Sequence, residues 1–329
     1  MASGAWLRRD FMALVGGAAV AWPLAALAQK VGQTYRLGCL SPFPRDNVFN
    51  VLLLDKLRRV GFIEGQNLTV DFRTFAPHLD LISQYVAELV VAQPDVIYAG
   101  GGVAIRAVQQ ATKSIPIVGI ADDMVGEGLV ETLARPNGNT TGISILATEL
   151  DGKRQDILIE AVPGIRRLAS LADSSTLTEA NARALQEAAR AHNIELSIYR
   201  ITRAEEIVAT IDKAQASGAM ALNVLSSPIL YFGRRLIMDR VATMRMPTIY
   251  QWPEQAEEGG FIGYGPSATQ ISREISARLL AKVLRGTKVA DIPVEQPTKF
   301  ELVINLKTAK AMGVTVPEAL LVRADKVIE

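Results

Sequence analysis

From Tyr35 onward the chain alternates short β-branched runs with longer stretches whose apolar residues recur every three or four positions. This pattern predicts a parallel sheet covered on both faces by helices. Strands are expected at YRLGCL, LTVDFRTF, DVIYAG, IPIVGI and TTGISI, and helices between them at residues 48–60, 79–92, 104–111 and 126–133. Gly61 stands where a left-handed helix cap is wanted, and Pro77 and Pro94 fall in the gaps. One α/β lobe thus ends near Ser144.

After the polar stretch ATELDGKRQD, to which no element is assigned, the alternation restarts. Strands are expected at RLASLAD, IELSIYR, AMALNVL and PTIYQ, with helices over residues 179–192, 204–216 and 230–244. FIGYG reads as one more strand, residues 268–284 as a helix ended by Gly286, and DIPVEQPTKFELVINL as a linker into a final strand. The repetition is architectural, without self-similarity at a fixed period. The expected fold class is α/β, with two doubly wound parallel-sheet lobes.

Ahead of this region, LRRDFMALVGGAAVAWPLAALAQ has the form of an export signal. Arg8 and Arg9 precede an uncharged run that ends in small residues at Ala26 and Ala28, so cleavage is expected after Ala28 and the mature chain at Gln29. The paired arginines resemble a twin-arginine (Tat) signal. The run is short and rich in Gly and Ala, and no later segment has the roughly 18 uninterrupted apolar residues that a membrane span needs.

Composition narrows the function. The chain has 35 basic and 34 acidic residues, and loss of Arg8, Arg9 and Asp10 with the signal brings the balance to zero. No basic stripe points to nucleic acid. Cys39 is the only cysteine, which excludes an internal disulfide, and it reads as a buried, inert thiol. His78 and His192 stand far apart without neighbouring ligand spacing, so neither a metal nor a haem site is expected. No Ser lies in a G-x-S-x-G elbow.

Several strand ends carry candidate chemistry. AGGGVAIRA places three glycines between a strand and a helix, either as a loop close to a small ligand or as a tight turn. It fails the dinucleotide fingerprint, because Ile105 stands where a third Gly or Ala should pack and no carboxylate follows about 20 residues later. Asp122 and Asp123 follow IPIVGI. Asp123 suits a cap, which leaves Asp122 free to meet a cation. In the second lobe ADSSTLTEA and LSSPILYF place hydroxyls before helices, as caps, carboxylate sites or both.

RRDFMALVGGAAVAWPLAALAQ, GLVETLARPNGNTTGIS, GGFIGYGPSATQ and DIPVEQPTKFELVINLKTAKAMGVTVPEALLVRADKVIE resemble the corresponding parts of the ABC-transporter substrate-binding protein family, in its tryptophan- and tyrosine-type branch. The resemblance runs nearly end to end. It implies a type I periplasmic binding fold, two lobes joined by three crossovers with ligand trapped between them and passed to a membrane permease. Lobe 1 is then expected over residues 34–146 plus 259–289, and lobe 2 over 147–258 plus 290–329, so that FIGYG and its helix return to the first lobe. Where the family often has Asp-Pro, this chain has Asp123 and Met124, with Asp122 as an addition. ADSSTLTEA replaces a common Asn-Pro turn.

The expectation is therefore a periplasmic, monomeric, cofactor-free binder of a small polar metabolite, an amino acid or related carboxylate, delivering to an ABC permease. A ligand sensor of the same fold and an exported α/β hydrolase are the alternatives. The expected ligand contacts are Ser41, Phe43, Gly101, Asp122, Asp123 and Ser144 in the first lobe, with Ser174, Ser175, Ser227, Tyr231, Trp252 and Tyr264 after the later strands. An α-amino acid would place its ammonium on Asp122 or Asp123 and its carboxylate at Ser174 and Ser227.

Overall fold

The computed structural model describes residues 33–76, 78–146 and 148–329. The export segment lies outside them. The first lobe runs β1 (Tyr35–Ser41), α1 (Val48–Arg59), β2 (Leu68–Thr74), α2 (Ile82–Val91), β3 (Val96–Gly100), α3 (Gly102–Ala111), β4 (Ile117–Ala121) and β5 (Thr140–Ser144). The second lobe opens with α4 (Leu150–Ala161), β6 (Arg167–Asp173), α5 (Glu179–Ala191), β7 (Glu195–Ile201), α6 (Ile207–Ala216) and β8 (Ala221–Val224). It continues through α7 (Pro228–Phe232), α8 (Arg234–Met244), β9 (Thr248–Tyr250), α9 (Pro253–Glu257) and β10 (Ile262–Gly265). The chain returns through α10 (Ala268–Gln270), a π-helical segment (Ile271–Ser276) and α11 (Ala277–Leu284). It ends with β11 (Glu301–Asn305), α12 (Leu306–Met312), α13 (Glu318–Arg323) and β12 (Lys326–Ile328).

Two sheets result. The first is parallel, in the order β2-β1-β3-β4-β5, and the second has the order β12-β11-β10-β9-β8-β6-β7, with β11 antiparallel to β10. Strand alternation explains the two-sided burial. Leu37, Cys39 and Tyr98 face α1 and α11, whereas Ile97 and Ala99 face α2 and α3. In the second lobe Leu168 and Ala221 pack with α4, and Leu171 and Val224 with α6 and α8. Winding reverses between β1 and β3 and again between β6 and β8. The carboxyl ends of those strands are where open α/β sheets receive ligands.

Four expectations need correction. Residues 126–133 form turns and no helix: Asp123 holds the amides of Val125 (3.1 Å) and Gly126 (2.9 Å), and Met124 O accepts from Leu129 N (2.9 Å) and Val130 N (3.1 Å), so the chain folds back on itself. The stretch ATELDGKRQD is largely helical, because Ile157, Leu158 and Ala161 on α4 bury one face in the second lobe's core. The strand of FIGYG pairs with β9 and β11 in the second sheet, while the helix after it packs on α1 in the first lobe. The crossover thus lies after β10. Residues 294–295 also stay with the first lobe, since Val294 joins its core and Glu295 bridges to Ile143 of β5.

At that edge β4 and β5 approach closely. Gly119 and Gly142 are register partners, and a Cβ on Gly142 would lie 1.9 Å from Gly119 O. Gly142→Ala is expected to destabilise the protein by about 1–3 kcal/mol. Gly152→Ala, within α4 where an added Cβ meets nothing within 4 Å, is expected to stabilise it by about 0.5–1 kcal/mol. Urea unfolding of both variants checks the contrast, and equal midpoints would remove the close-approach argument.

Candidate ligand-binding cleft

The carboxyl ends of β1, β3, β4 and β5 form one wall. Ser41, buried at the end of β1, accepts from Phe43 N (3.1 Å) and Asn50 Nδ2 (3.3 Å), fixing the turn that carries Phe43. After β3, Gly101 has φ +93 and its N–H donates to Ile120 O at 2.7 Å. A Cβ on Gly102 would lie 1.7 Å from Glu127 Oε2. The glycine run is thus explained by a left-handed turn and by a carboxylate of the chain itself lying against the start of α3.

The two adjacent aspartates separate in role. Asp123 is spent on the cap described above. Asp122 is held by its backbone, whose carbonyl accepts from Leu146 N (3.0 Å) and from the buried Ser144 Oγ (3.3 Å). Its carboxylate faces the other lobe, where Oδ2 accepts from Ser226 Oγ at 3.4 Å. Burial, followed by the charges of Glu127 and Asp151, pushes the Asp122 carboxyl up to about 7 against the opposing influence of Arg154 and the Ser226 hydroxyl.

Lobe 2 supplies the other wall from β6, β8 and β9. Asp173, buried at the end of β6, accepts from Ser175 N (2.8 Å), Ser175 Oγ (2.7 Å) and Ser227 Oγ (2.7 Å). Ser227 also caps α7 by accepting from Leu230 N (3.4 Å), and its own N–H donates to Gln251 Oε1 at 3.1 Å. The hydroxyl protons of Ser175 and Ser227 are therefore already committed to Asp173. Ser174 is exposed and donates its N–H to Ile201 O (2.9 Å).

Aromatic side chains close the cleft from both sides. Phe43 lies 5.3 Å from Phe49, 5.2 Å from Tyr231 and 5.1 Å from Phe232 between ring centroids, so rings of the first lobe meet rings of α7. Half-buried Trp252 and buried Ala268 complete this group. Arg234 stacks over Tyr231 at 4.4 Å and pairs with Glu258 at 2.7 Å.

Sequence reasoning missed the ion pair behind the cleft. On α4, fully buried Arg154 pairs with Asp151 at 2.5 Å and donates to Tyr264 O at 3.3 Å, while Asp151 Oδ1 accepts from Ser226 N at 3.3 Å. Arg154 therefore links the helix after the first crossover to the strand before the second. The spacing of Leu150, Ile157, Leu158 and Ala161, with Asp151 and Arg154 three residues apart, was the available signal. Cys39 is buried and its thiol is pushed up to about 12, and His78 and His192 are exposed. No group of three metal-ligating side chains occurs among the described residues, and none of their helices is long and apolar enough to cross a membrane.

The sequence profile of the ABC transporter substrate binding protein family matches residues 51–328. The chain belongs to that family. It is 26% identical over 257 residues to the tyrosine-binding protein of Clostridioides difficile (strain R20291), covering 77% of this chain and 72% of that one. A conserved domain protein from Vibrio cholerae O1 biovar eltor superposes with a TM-score of 0.80 at 25% identity, over 90% of this chain and 100% of the other. The ABC domain from Streptococcus pneumoniae in complex with L-Trp gives 0.79 at 22% identity, with the same coverage. The two-lobed architecture is the type I periplasmic binding fold.

Proposed function

We propose that this substrate-binding protein captures an α-amino acid with an aromatic side chain between its lobes and serves an ABC importer after export by its N-terminal signal. The observation that carries the reading is Asp122. Its carboxylate looks across the cleft with a hydroxyl as its hydrogen-bond partner, next to further carboxylates, and so provides a place for a ligand ammonium. Phe43, Phe49, Tyr231 and Phe232 offer an apolar, aromatic cluster where the two lobes meet. The ligand carboxylate is assigned to the turn at Ser174, since Ser175 and Ser227 serve Asp173. Family membership, a tyrosine-binding relative and a neighbour of the same fold in complex with L-Trp support a binder over an enzyme.

Calorimetric titration with L-tryptophan, L-tyrosine, L-leucine, L-glutamate and glucose tests the assignment. Aromatic amino acids are expected to bind at micromolar level, about −8 kcal/mol. Tyr231→Ala is expected to weaken them by about tenfold through loss of ring contact. Binding of glucose or glutamate alone would overturn the reading, as would an aromatic ligand indifferent to Tyr231.

A further inference from the structure

Glu127 is the group in the cleft wall that this assignment does not use. It lies in the turn after β4, where Oε1 accepts from Asp123 N at 3.3 Å and Oε2 rests against Gly102 at the start of α3, in a space that any side chain at that position would fill. Backbone contacts to both Asp122 and Asp123 hold the carboxylate beside them. Arg106 of α3 donates to the Glu127 backbone carbonyl, so the guanidinium anchors the turn, and it acts on the carboxylate by charge from there. The geometry thus places a second carboxylate next to Asp122, which faces the opposite lobe through Ser226.

Resting on the amino-acid reading of the cleft, we infer that Glu127 is a positioning residue that acts through Asp122: it makes the first lobe's wall selective for a cationic group and couples capture of that group to release of a proton. Two neighbouring carboxylates resist ionising together, and a cation arriving between the lobes relieves that resistance. The groups around the pair pull in opposite directions, and backbone contacts from Asp123 and Asp122 also lower the Glu127 carboxyl. Glu127 and Asp151 raise the Asp122 carboxyl and Arg154 of α4 lowers it, while burial and Asp123 raise Glu127 and Arg106 lowers it. The raising influences win at Asp122, which is pushed up to about 7. Below that pH the cation site is protonated in the ligand-free protein, and an ammonium must displace the proton. Above it the site is open. Affinity for a cationic ligand therefore rises with pH through neutrality, and an anion of the same shape gains nothing.

The test uses the full chain and Glu127→Gln, which keeps the side-chain volume against Gly102 and an oxygen for Asp123 N. Carbon-13 NMR of labelled aspartate carboxyls, with the Asp122 signal assigned by its loss in Asp122→Asn, reads the titration in the absence of ligand. The Asp122 midpoint is expected to fall in Glu127→Gln, and an unchanged midpoint overturns the inference. With L-tryptophan as the probe, affinity of the unmodified protein is expected to drop roughly tenfold from pH 8 to pH 6, and Glu127→Gln to shrink that ratio toward one. Indole-3-propionate, which lacks the ammonium, is expected to show no gain with rising pH. An equal pH ratio in both proteins would also overturn the inference. Failure of every amino acid to bind would remove the ligand reading, while the aspartate titration still decides the role of Glu127.

Discussion

Asp122→Asn is expected to weaken capture of L-tryptophan or L-tyrosine by about 30-fold or more and, at the same time, to raise the melting temperature of the ligand-free protein above pH 7. The first effect follows from charge pairing. Leaving a buried ligand ammonium without its carboxylate costs roughly 2 to 5 kcal/mol. The second follows from linkage. The folded-state carboxyl is raised to about 7 from the ordinary aspartate value of 3.8, so the native protein binds the proton more tightly than the unfolded chain. Stability is then lost as pH rises from about 4 to 7. Asparagine has no charge to bury, and its advantage grows across that window and stays constant above it. Scanning calorimetry at pH 4 and pH 8, with titration of the same preparations, measures both effects. A variant that binds normally, or that gains no stability at pH 8 relative to pH 4, would count against Asp122 as the cation site.

Asp123→Ala gives the matching comparison, since asparagine would keep the capping oxygen. Asp123 holds two amides of the turn, and loss of such a cap is worth about 1 kcal/mol of stability. The carboxylate it removes is one that already serves those amides. The two neighbouring aspartates, both offered by the sequence as ammonium partners, are thus distinguished by what their side chains reach, backbone amides at Asp123 and the Ser226 hydroxyl at Asp122.

The alternation of strands and helices was legible in the sequence because two-sided burial writes itself as continuous β-branched runs, and nearly every expected strand lies within a residue or two of its observed place. The strand-end residues were legible for a related reason, since a parallel sheet puts all its loops to the ligand on one side. Four features were hidden. Residues 151–156 of α4 are all without a large apolar side chain, because three of the helix's buried positions are filled by Asp151, Arg154 and Gln155. The Gly126 region shows helix-like apolar spacing, but side-chain capture of its amides wins over that local preference. Glu127 is ordinary in sequence. Its place beside Asp122 depends on the absence of a side chain at Gly102, about 25 positions earlier. The lobe to which β10 belongs was hidden too, because a strand's sequence does not say which of two similar sheets will pair with it.

Arg154→Met is expected to destabilise the protein by about 3–5 kcal/mol, because it leaves Asp151 buried without its cation. For a chain of this length that corresponds to a fall of roughly 5–8 °C in melting temperature. Asp151 already shows the strain of its position. Burial raises its carboxyl, and Arg154, by charge and by hydrogen bond, is the main opposing influence. Removing the guanidinium favours the protonated acid, so the loss is greatest at high pH and shrinks as pH falls through the raised value. The double variant Asp151→Leu/Arg154→Met removes both charges and is expected to recover most of the loss, since a buried pair replaced by apolar side chains of similar size is often neutral. Recovery of stability need not restore function. Asp151 holds Ser226 N, Ser226 holds Asp122 across the cleft, and Arg154 ties α4 to Tyr264 O beside the second crossover. The double variant is therefore expected to fold and yet to close on ligand less readily, which small-angle scattering with and without L-tryptophan would show as a smaller change in radius of gyration. Full recovery of both stability and closure would reduce the pair to packing alone.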